Sequence, residues 1–109
     1  MNSTGNPLVD LAESTFAFYD RFDATPHVES ASRNLLEEVN EFIEAGREGN
    51  NRTHIAEEAA DVIVTTLGLC RASGIGIEEL VKQIYAVIDK NNAKTHDTHV
   101  YVDGKIRRK

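Results

Sequence analysis

Apolar residues recur at every third or fourth position along most of this chain, the spacing that places side chains on one face of an α-helix. Four such segments predict helices over about residues 8–22, 29–45, 54–72 and 77–93. Pro26 separates the first two segments, because proline disfavours helical backbone at the residue before it. The stretches GREGNN and ASGIG separate the others, and Thr53 is the predicted N-cap of the third helix. This pattern predicts an all-α fold, with four helices in a single domain spanning residues 1–109.

The apolar stripe of the third helix is much wider than that of the second. The second helix has a one-sided stripe, formed by Leu35, Leu36, Val39, Phe42 and Ile43. On the third helix, apolar residues cover most of the circumference and leave only a narrow polar strip of Glu58, Asp61 and Thr65. A helix that is apolar nearly all round is typical of the centre of a fold, so we expect this strip to face the interior or a cleft.

The last fifteen residues, 95–109, have a different pattern and form a short appendage. Asp103-Gly104 lies between two short alternating segments, which is a common sequence for the turn of a two-residue β-hairpin. The alternative is a frayed basic terminus, because terminal residues are often poorly ordered.

Composition and charge narrow the possible functions. A length of 109 residues fits one domain, with 40% hydrophobic and 28% charged residues, as in soluble globular proteins. Such a small domain buries a limited share of its surface, so oligomerisation would stabilise it. The net charge of −6 argues against nucleic acid or an anionic membrane as a partner, since both require a basic surface. Cys70 has no second cysteine with which to form a disulfide, and we expect a cytoplasmic location because no signal or membrane-spanning segment is visible.

Two pairs of carboxylates are the strongest chemical feature of the sequence. Glu38 and Glu41 on the second helix, and Glu58 and Asp61 on the third, are each three residues apart and therefore neighbours on a helix surface. If the two helices pack antiparallel across their short connection, the pairs face each other. Four converging carboxylates would repel one another unless a cation lay between them, and an all-oxygen ligand set suits Mg²⁺ or Mn²⁺. The alternative is that these acidic residues form solvated helix faces.

A magnesium site of this kind favours phosphoryl chemistry. Magnesium usually keeps several waters and completes its coordination with substrate phosphates. The metal would then bridge phosphate oxygens and activate a water for in-line attack.

The order of these motifs resembles a known family. The segment EEVNE, followed by EAAD, is similar to the E-E-x-x-E … E-x-x-D pattern of the MazG-like all-α nucleoside triphosphate pyrophosphohydrolases. Upstream, RNLLEEVNE resembles the family's Arg-x-x-Leu element. Downstream, NNAK and DGKI are similar to the Asn-x-x-Lys and Gly-Lys elements of the subgroup close to phosphoribosyl-ATP pyrophosphohydrolases. The resemblance extends from about Phe16 to Lys105 and implies a four-helix MazG-like bundle.

The resemblance also implies roles for individual residues. The residues that match the family's magnesium ligands are Glu38, Glu41, Glu58 and Asp61. Glu37 and Glu38 are the implied catalytic residues, and Glu37 would bind a further metal or orient the attacking water. Asn91 and Lys94 match positions that contact the nucleotide's phosphates, with support from Arg33.

The implied reaction cleaves the α–β phosphoanhydride of a nucleoside triphosphate, giving a monophosphate and pyrophosphate. The family uses Mg²⁺, for which Mn²⁺ can substitute, and its members are dimers or tetramers with the site completed at a subunit interface. Many of them remove non-standard or surplus deoxynucleotides, so a house-cleaning or pool-balancing role is implied.

One departure from the family pattern concerns recognition of the base and sugar. Relatives often have Phe-His in the first helix, where this chain has Phe18-Tyr19. Tyr19 is therefore a candidate for contact with substrate, although aromatic residues at helical spacing more often pack in the core. His54 is expected to be a surface residue in the first turn of its helix, and His96 and His99 are expected to lie on a loop.

Two other functional classes remain open. One is a non-catalytic helical interaction module whose acidic cleft binds a basic partner. The other is a di-metal redox bundle, which is disfavoured because the E-x-x-H order of such bundles is absent. No residue pattern identifies the preferred base.

Overall fold

The computed structural model describes residues 3–109. In chain order its elements are α1 (Pro7–Arg21), α2 (Val28–Glu48), α3 (Arg52–Ala72), α4 (Ile77–Asn92), β1 (His99–Val102) and β2 (Lys105–Arg108). The predicted all-α class, with four helices and a C-terminal hairpin, is confirmed. The chain divides into two compact units, one ending at Ile77 and the other formed by Glu78–Lys109. Within the described residues, no single helix is long and apolar enough to cross a membrane.

The loop between α2 and α3 is shorter than predicted at both ends. Helix α2 continues through Gly46 and ends at Glu48, where Gly49 adopts a left-handed conformation with φ 67° that leaves the helix. Helix α3 begins directly after Asn51, whose side chain accepts a hydrogen bond of 3.0 Å from the backbone N–H of His54. The predicted N-cap Thr53 is therefore wrong, because Asn51 satisfies the free donors of the first turn two residues earlier.

The first unit is built around α3, which packs against both α1 and α2. The short loop makes α2 and α3 antiparallel neighbours. The most buried side chains are small, apart from Leu67, and include Ala12, Thr15 and Ala45. Gly68 is buried where α1 crosses α3, and a Cβ atom there would lie 2.8 Å from the hydroxyl of Tyr19. Small residues therefore let the helices approach closely.

Helix α3 packs against both α1 and α2, as expected of a central helix, but part of its apolar surface is exposed in the single chain. Ile63 on α3 is 42% exposed, and on α2 the exposed fractions of Leu36 and Ile43 are 62% and 44%. Leu36 and Ile43 are seven residues apart, so they lie on one face of α2. The first unit thus presents an apolar surface that no other part of it covers.

The second unit consists of α4 and the hairpin. Leu80 and Ile84 on α4 are half-buried, whereas Val87 and Ile88 are exposed. The hairpin turn is formed by Asp103 and Gly104, whose φ angles of 51° and 76° match a type I′ turn. The strands pair antiparallel, with His99 opposite Arg108 and Tyr101 opposite Ile106. The hairpin prediction is confirmed, and the alternative of a frayed terminus is wrong.

Candidate metal centre

The predicted acidic cluster lies between α2 and α3. One carboxylate oxygen from each of Glu38, Glu58 and Asp61 lies within 4.8 Å of the other two. Magnesium binds oxygen ligands at about 2.0–2.1 Å, so opposite ligands of one ion are roughly 4.2 Å apart. Small side-chain rotations would bring the three oxygens into the coordination sphere of a single dication.

Two of these carboxylates have a buried oxygen without a hydrogen-bond partner. Within residues 3–109, Oε2 of Glu38 and Oε2 of Glu58 are inaccessible to solvent and accept no hydrogen bond. The whole side chain of Glu58 is only 14% exposed. Burying a carboxylate oxygen is unfavourable unless a donor or a cation compensates for the lost hydration. The two orphaned oxygens therefore fit a cation site and do not fit a solvated helix face.

The electrostatics of Glu38 agree with this geometry. Burial raises the pKa of the Glu38 carboxyl, and the charge and hydrogen bonding of Glu41 raise it further. The charges of Asp61 and Glu58 act in the same direction. A dication bound among these carboxylates would relieve the repulsion that raises the pKa of Glu38.

Glu41 has a different position from the other three predicted ligands. It is exposed, and it is not one of the three residues whose oxygens lie within 4.8 Å of one another. Its carboxylate is close enough to Glu38 to hydrogen-bond with it and to raise its pKa. The structure thus brings three predicted ligands together and places the fourth beside Glu38.

His54 lies at the edge of the cluster. Its Nδ1 atom is 3.9 Å from Oε1 of Glu58, four residues further along α3, and its side chain is 46% exposed. The prediction that His54 is a surface residue in the first turn is confirmed. The distance is too long for a hydrogen bond, so His54 leaves Glu58 available to a cation.

The remaining predicted site residues are distributed over both units. Glu37 and Arg33 are exposed on α2 and belong to no ion pair among residues 3–109. In the second unit, Lys94 Nζ donates a hydrogen bond of 3.0 Å to the side-chain oxygen of Asn91. Lys94 lies two residues beyond the end of α4, and this hydrogen bond connects it to Asn91 in the last turn of the helix.

Tyr19 lines a cavity of about 190 Å³ in the first unit. Asn34, one turn before Glu38 on α2, and Thr65, one turn after Asp61 on α3, also line it. The cavity therefore follows the same faces of α2 and α3 as the acidic cluster and adjoins it.

Arg71 fixes the position of Tyr19, and the sequence did not identify it. Its guanidinium donates hydrogen bonds to Asp20 Oδ1 at 2.9 Å and to the carbonyl oxygen of Ala24 at 3.1 Å. It also lies 5.3 Å from the centre of the Tyr19 ring. Asn34 was also missed, although its position four residues before Glu38 was a signal that it shares that helix face.

An all-α fold with an acidic cluster between two antiparallel helices is characteristic of the metal-dependent all-α nucleotide pyrophosphohydrolases. The family model for phosphoribosyl-ATP pyrophosphohydrolase matches residues 17–91. Because this match includes more than half of the chain and the whole acidic cluster, the chain belongs to the phosphoribosyl-ATP pyrophosphohydrolase family. Comparison with curated proteins and with solved structures found no significant match. The family match ends before Lys94 and the hairpin.

Proposed function

We propose that this protein is a magnesium-dependent pyrophosphohydrolase that cleaves the α–β phosphoanhydride of a (deoxy)nucleoside triphosphate to a monophosphate and pyrophosphate. Membership of the family supports pyrophosphohydrolase activity. The observation that supports metal dependence is the pair of buried, unpartnered carboxylate oxygens on Glu38 and Glu58. The role would be removal of non-standard nucleotides or balancing of nucleotide pools.

The donor set fits a hard dication. Glu38, Glu58 and Asp61 would hold the ion, and Glu41 would join them by a side-chain rotation from its place beside Glu38. All donors are carboxylate oxygens, which favours Mg²⁺ and permits Mn²⁺. When bound, such an ion neutralises phosphate charge and makes a water more acidic.

The chain's own groups would orient the reactants. Glu37 immediately precedes a ligand, and its exposed carboxylate is free of ion pairs in the described residues, so it would accept a hydrogen bond from the attacking water. Glu38 would hold the metal and thereby fix the position of that water. The resemblance implies phosphate contacts for Asn91 and Lys94, with support from Arg33, and positive charge there would stabilise the leaving pyrophosphate.

The nucleoside would occupy the cavity beside the cluster. The hydroxyl of Tyr19 makes no hydrogen bond in residues 3–109 and is available to the base or sugar. Asn34 lines the same cavity and offers an amide donor and acceptor. Because Arg71 lies against the Tyr19 ring, we expect Tyr19 to recognise the nucleoside through its hydroxyl and not by stacking.

The exposed apolar surface supports a homo-oligomer, as a dimer or a dimer of dimers. Leu36 and Ile43 on α2 and Ile63 on α3 are large apolar side chains at least 42% exposed in the single chain. Contiguous exposed apolar residues of this size favour burial against a partner. A second copy would cover them and increase the apolar core of a protein too small to bury much alone.

The decisive experiment is a panel of nucleoside triphosphates assayed for pyrophosphate release, with Mg²⁺ and with EDTA. We expect Mg²⁺-dependent release by the wild type and none by Glu58→Gln or Asp61→Asn. Glu57→Gln is the matched control, since it removes the same charge from an exposed neighbour outside the cluster. Magnesium binding without turnover of any nucleotide, together with tight binding of basic peptides, would instead favour the non-catalytic interaction module.

A further inference from the structure

A second cavity lies entirely within the second unit, between the end of α4 and the hairpin. Its volume is about 330 Å³, and it is lined by Lys90, Ala93, Lys94, Thr98, His99 and Arg108. Three of these six residues carry a positive charge, a fourth is a histidine, and none is acidic. We call this the basic cavity.

The end of α4, the segment after it and the hairpin place these groups around one space. Lys90 lies in the last turn of α4 and Lys94 lies two residues beyond the end of that helix, and both line the cavity. His99 and Arg108 are directly opposed across the two strands, so their side chains lie on the same face of the hairpin. The end of the helix and the segment after it supply the two lysines, and the hairpin supplies His99 and Arg108.

Backbone hydrogen bonds hold the hairpin base beside the helix end. The N–H of His99 donates to the carbonyl of Thr95 at 2.8 Å, and the N–H of Lys109 donates to the carbonyl of Thr98 at 3.0 Å. Thr98 Oγ1 lies 2.7 Å from His99 Nδ1, which orients the imidazole ring. The backbone of both residues and the ring of His99 are thus held in place by hydrogen bonds of the hairpin and of the segment before it.

The positive charge of this segment is not neutralised locally. Residues 90–109 contain six lysines and arginines but only two aspartates, a net charge of +4 in a chain whose total is −6. Neither ion pair found among residues 3–109 involves Lys90, Lys94 or Arg108. The like charges therefore repel across the basic cavity, and an anion bound there would relieve the repulsion.

We propose that Lys90, Lys94, His99 and Arg108 form a binding site for a diphosphate group. An arginine fork binds two phosphate oxygens at once, while lysines act as point charges that adapt to the remaining oxygens. Donors on two walls match an anion with two phosphate groups better than a single phosphate. A cavity of about 330 Å³ lies at the lower end of the roughly 300–1,000 Å³ typical of ligand pockets, which suits a small polyanion.

This inference rests on the proposed function for the biological identity of the ligand, since pyrophosphate is the expected product and a nucleotide carries the same group. It adds Lys90, His99 and Arg108 to the proposed phosphate contacts. His99 and Arg108 lie beyond residue 91, where the family match ends, so the match assigns no role to either residue.

A calorimetric titration tests the site: inorganic pyrophosphate is added to the protein in EDTA, and the heat of binding is measured. EDTA prevents metal-mediated binding at the acidic cluster, which would then repel the anion. We expect saturable binding that Arg108→Ala weakens about tenfold, the effect of losing a charge-assisted hydrogen bond. Arg107→Ala is the matched control, because Arg107 pairs with Val100 on the other face of the hairpin and should change the affinity less than twofold.

A second pair of variants leaves the hairpin sequence intact. Lys90→Gln should weaken pyrophosphate binding about tenfold, whereas Lys82→Gln, on the same helix but outside the cavity, should not. The proposal is overturned if each control variant weakens pyrophosphate binding as much as the variant it is paired with, Arg107→Ala with Arg108→Ala and Lys82→Gln with Lys90→Gln. Such a result would show only non-specific attraction between pyrophosphate and a positively charged surface. Orthophosphate or a short oligonucleotide binding as tightly as pyrophosphate would also overturn it.

The Glu58→Gln variant separates this inference from the proposed enzymatic function. It should lose turnover yet bind pyrophosphate in EDTA as tightly as the wild type. If no nucleotide is hydrolysed but pyrophosphate still binds in an Arg108-dependent manner, the proposed function fails and the basic cavity stands. If hydrolysis occurs but pyrophosphate binding is insensitive to both Arg108→Ala and Lys90→Gln, only the basic cavity fails.

Discussion

Replacing Glu58 by glutamine should stabilise the metal-free protein while removing its response to magnesium. In the wild type, Oε2 of Glu58 and Oε2 of Glu38 are buried without partners, and the carboxylates of Glu58 and Asp61 repel that of Glu38. A glutamine side chain at this position carries no charge, and its amide N–H groups can donate to the unpartnered oxygen of Glu38. The substitution therefore removes repulsion and supplies a missing donor.

The magnitude follows from the separation of the carboxylates. Two unit charges 4.8 Å apart repel by about 3.5 kcal/mol at an effective dielectric constant of ~20, and by about 0.9 kcal/mol in bulk water. Because Asp61 is exposed and water screens its charge, the effect should lie near the lower limit. We expect the free energy of unfolding to rise by about 1 kcal/mol, which corresponds to roughly 4 °C in Tm for a domain of this size.

We would measure the Tm of the wild type, Glu58→Gln and Glu57→Gln by thermal unfolding, in EDTA and in excess Mg²⁺. A dication present at 100 times its Kd would stabilise the wild type by about 2.7 kcal/mol, and Glu58→Gln should lose most of that gain. The control Glu57→Gln should behave like the wild type in both conditions, because Glu57 is exposed and outside the cluster.

The opposite pattern would refute the electrostatic reasoning. If Glu58→Gln lowers the Tm in EDTA by several degrees while Glu57→Gln does not, the Glu58 carboxylate is part of the fold and not an unfavourable charge awaiting a cation. If Mg²⁺ and Mn²⁺ leave the wild-type Tm unchanged, the cluster is not a dication site.

Three further predictions concern other parts of the molecule. Because the pKa of Glu38 is raised, the native protein binds more protons than the unfolded chain. The free energy of unfolding of the metal-free protein should therefore fall as the pH rises from about 4.5 through the raised pKa. Denaturant titrations at several pH values measure this fall. Gly68→Ala would place a Cβ atom 2.8 Å from the Tyr19 hydroxyl, so it should lower the free energy of unfolding by about 1–3 kcal/mol and raise KM. Gly46→Ala is the control: Gly46 has open space around it, and the substitution should stabilise α2 by about 0.5–1 kcal/mol. Unfolding curves that rank the two variants the other way would contradict the packing described. Leu36→Glu should convert the proposed oligomer to a monomer in light scattering, and an unchanged mass would exclude this face from the interface.

The ends of the helices show where local sequence patterns were ambiguous. Both Gly46 and Gly49 were able to end α2, and both Asn51 and Thr53 were able to begin α3. The structure selects Gly49 and Asn51, which extends both helices and shortens the loop between them. Which residue caps a helix depends on backbone conformation at each candidate, and composition alone does not rank them.

The acidic cluster was predictable because it depends on helical spacing and on one short loop. Residues three apart on a helix are neighbours whatever surrounds them, and a tight connection makes the two helices antiparallel. The same local logic predicted the hairpin, since Asp103-Gly104 readily adopts two successive positive φ angles. These features are encoded within a few residues of sequence.

Contacts between distant residues were decided only by the tertiary structure. The depth at which α2 and α3 pack buries Glu38 Oε2 and Glu58 Oε2 and leaves Glu41 exposed, although the pairs have identical spacing. Arg71 meets Asp20 across 51 residues because Gly68 lets α1 approach α3 closely. Periodicity specifies which side of a helix is apolar, but the rotation and depth of packing result from the sum of many side-chain contacts, and these determine which polar groups are buried together.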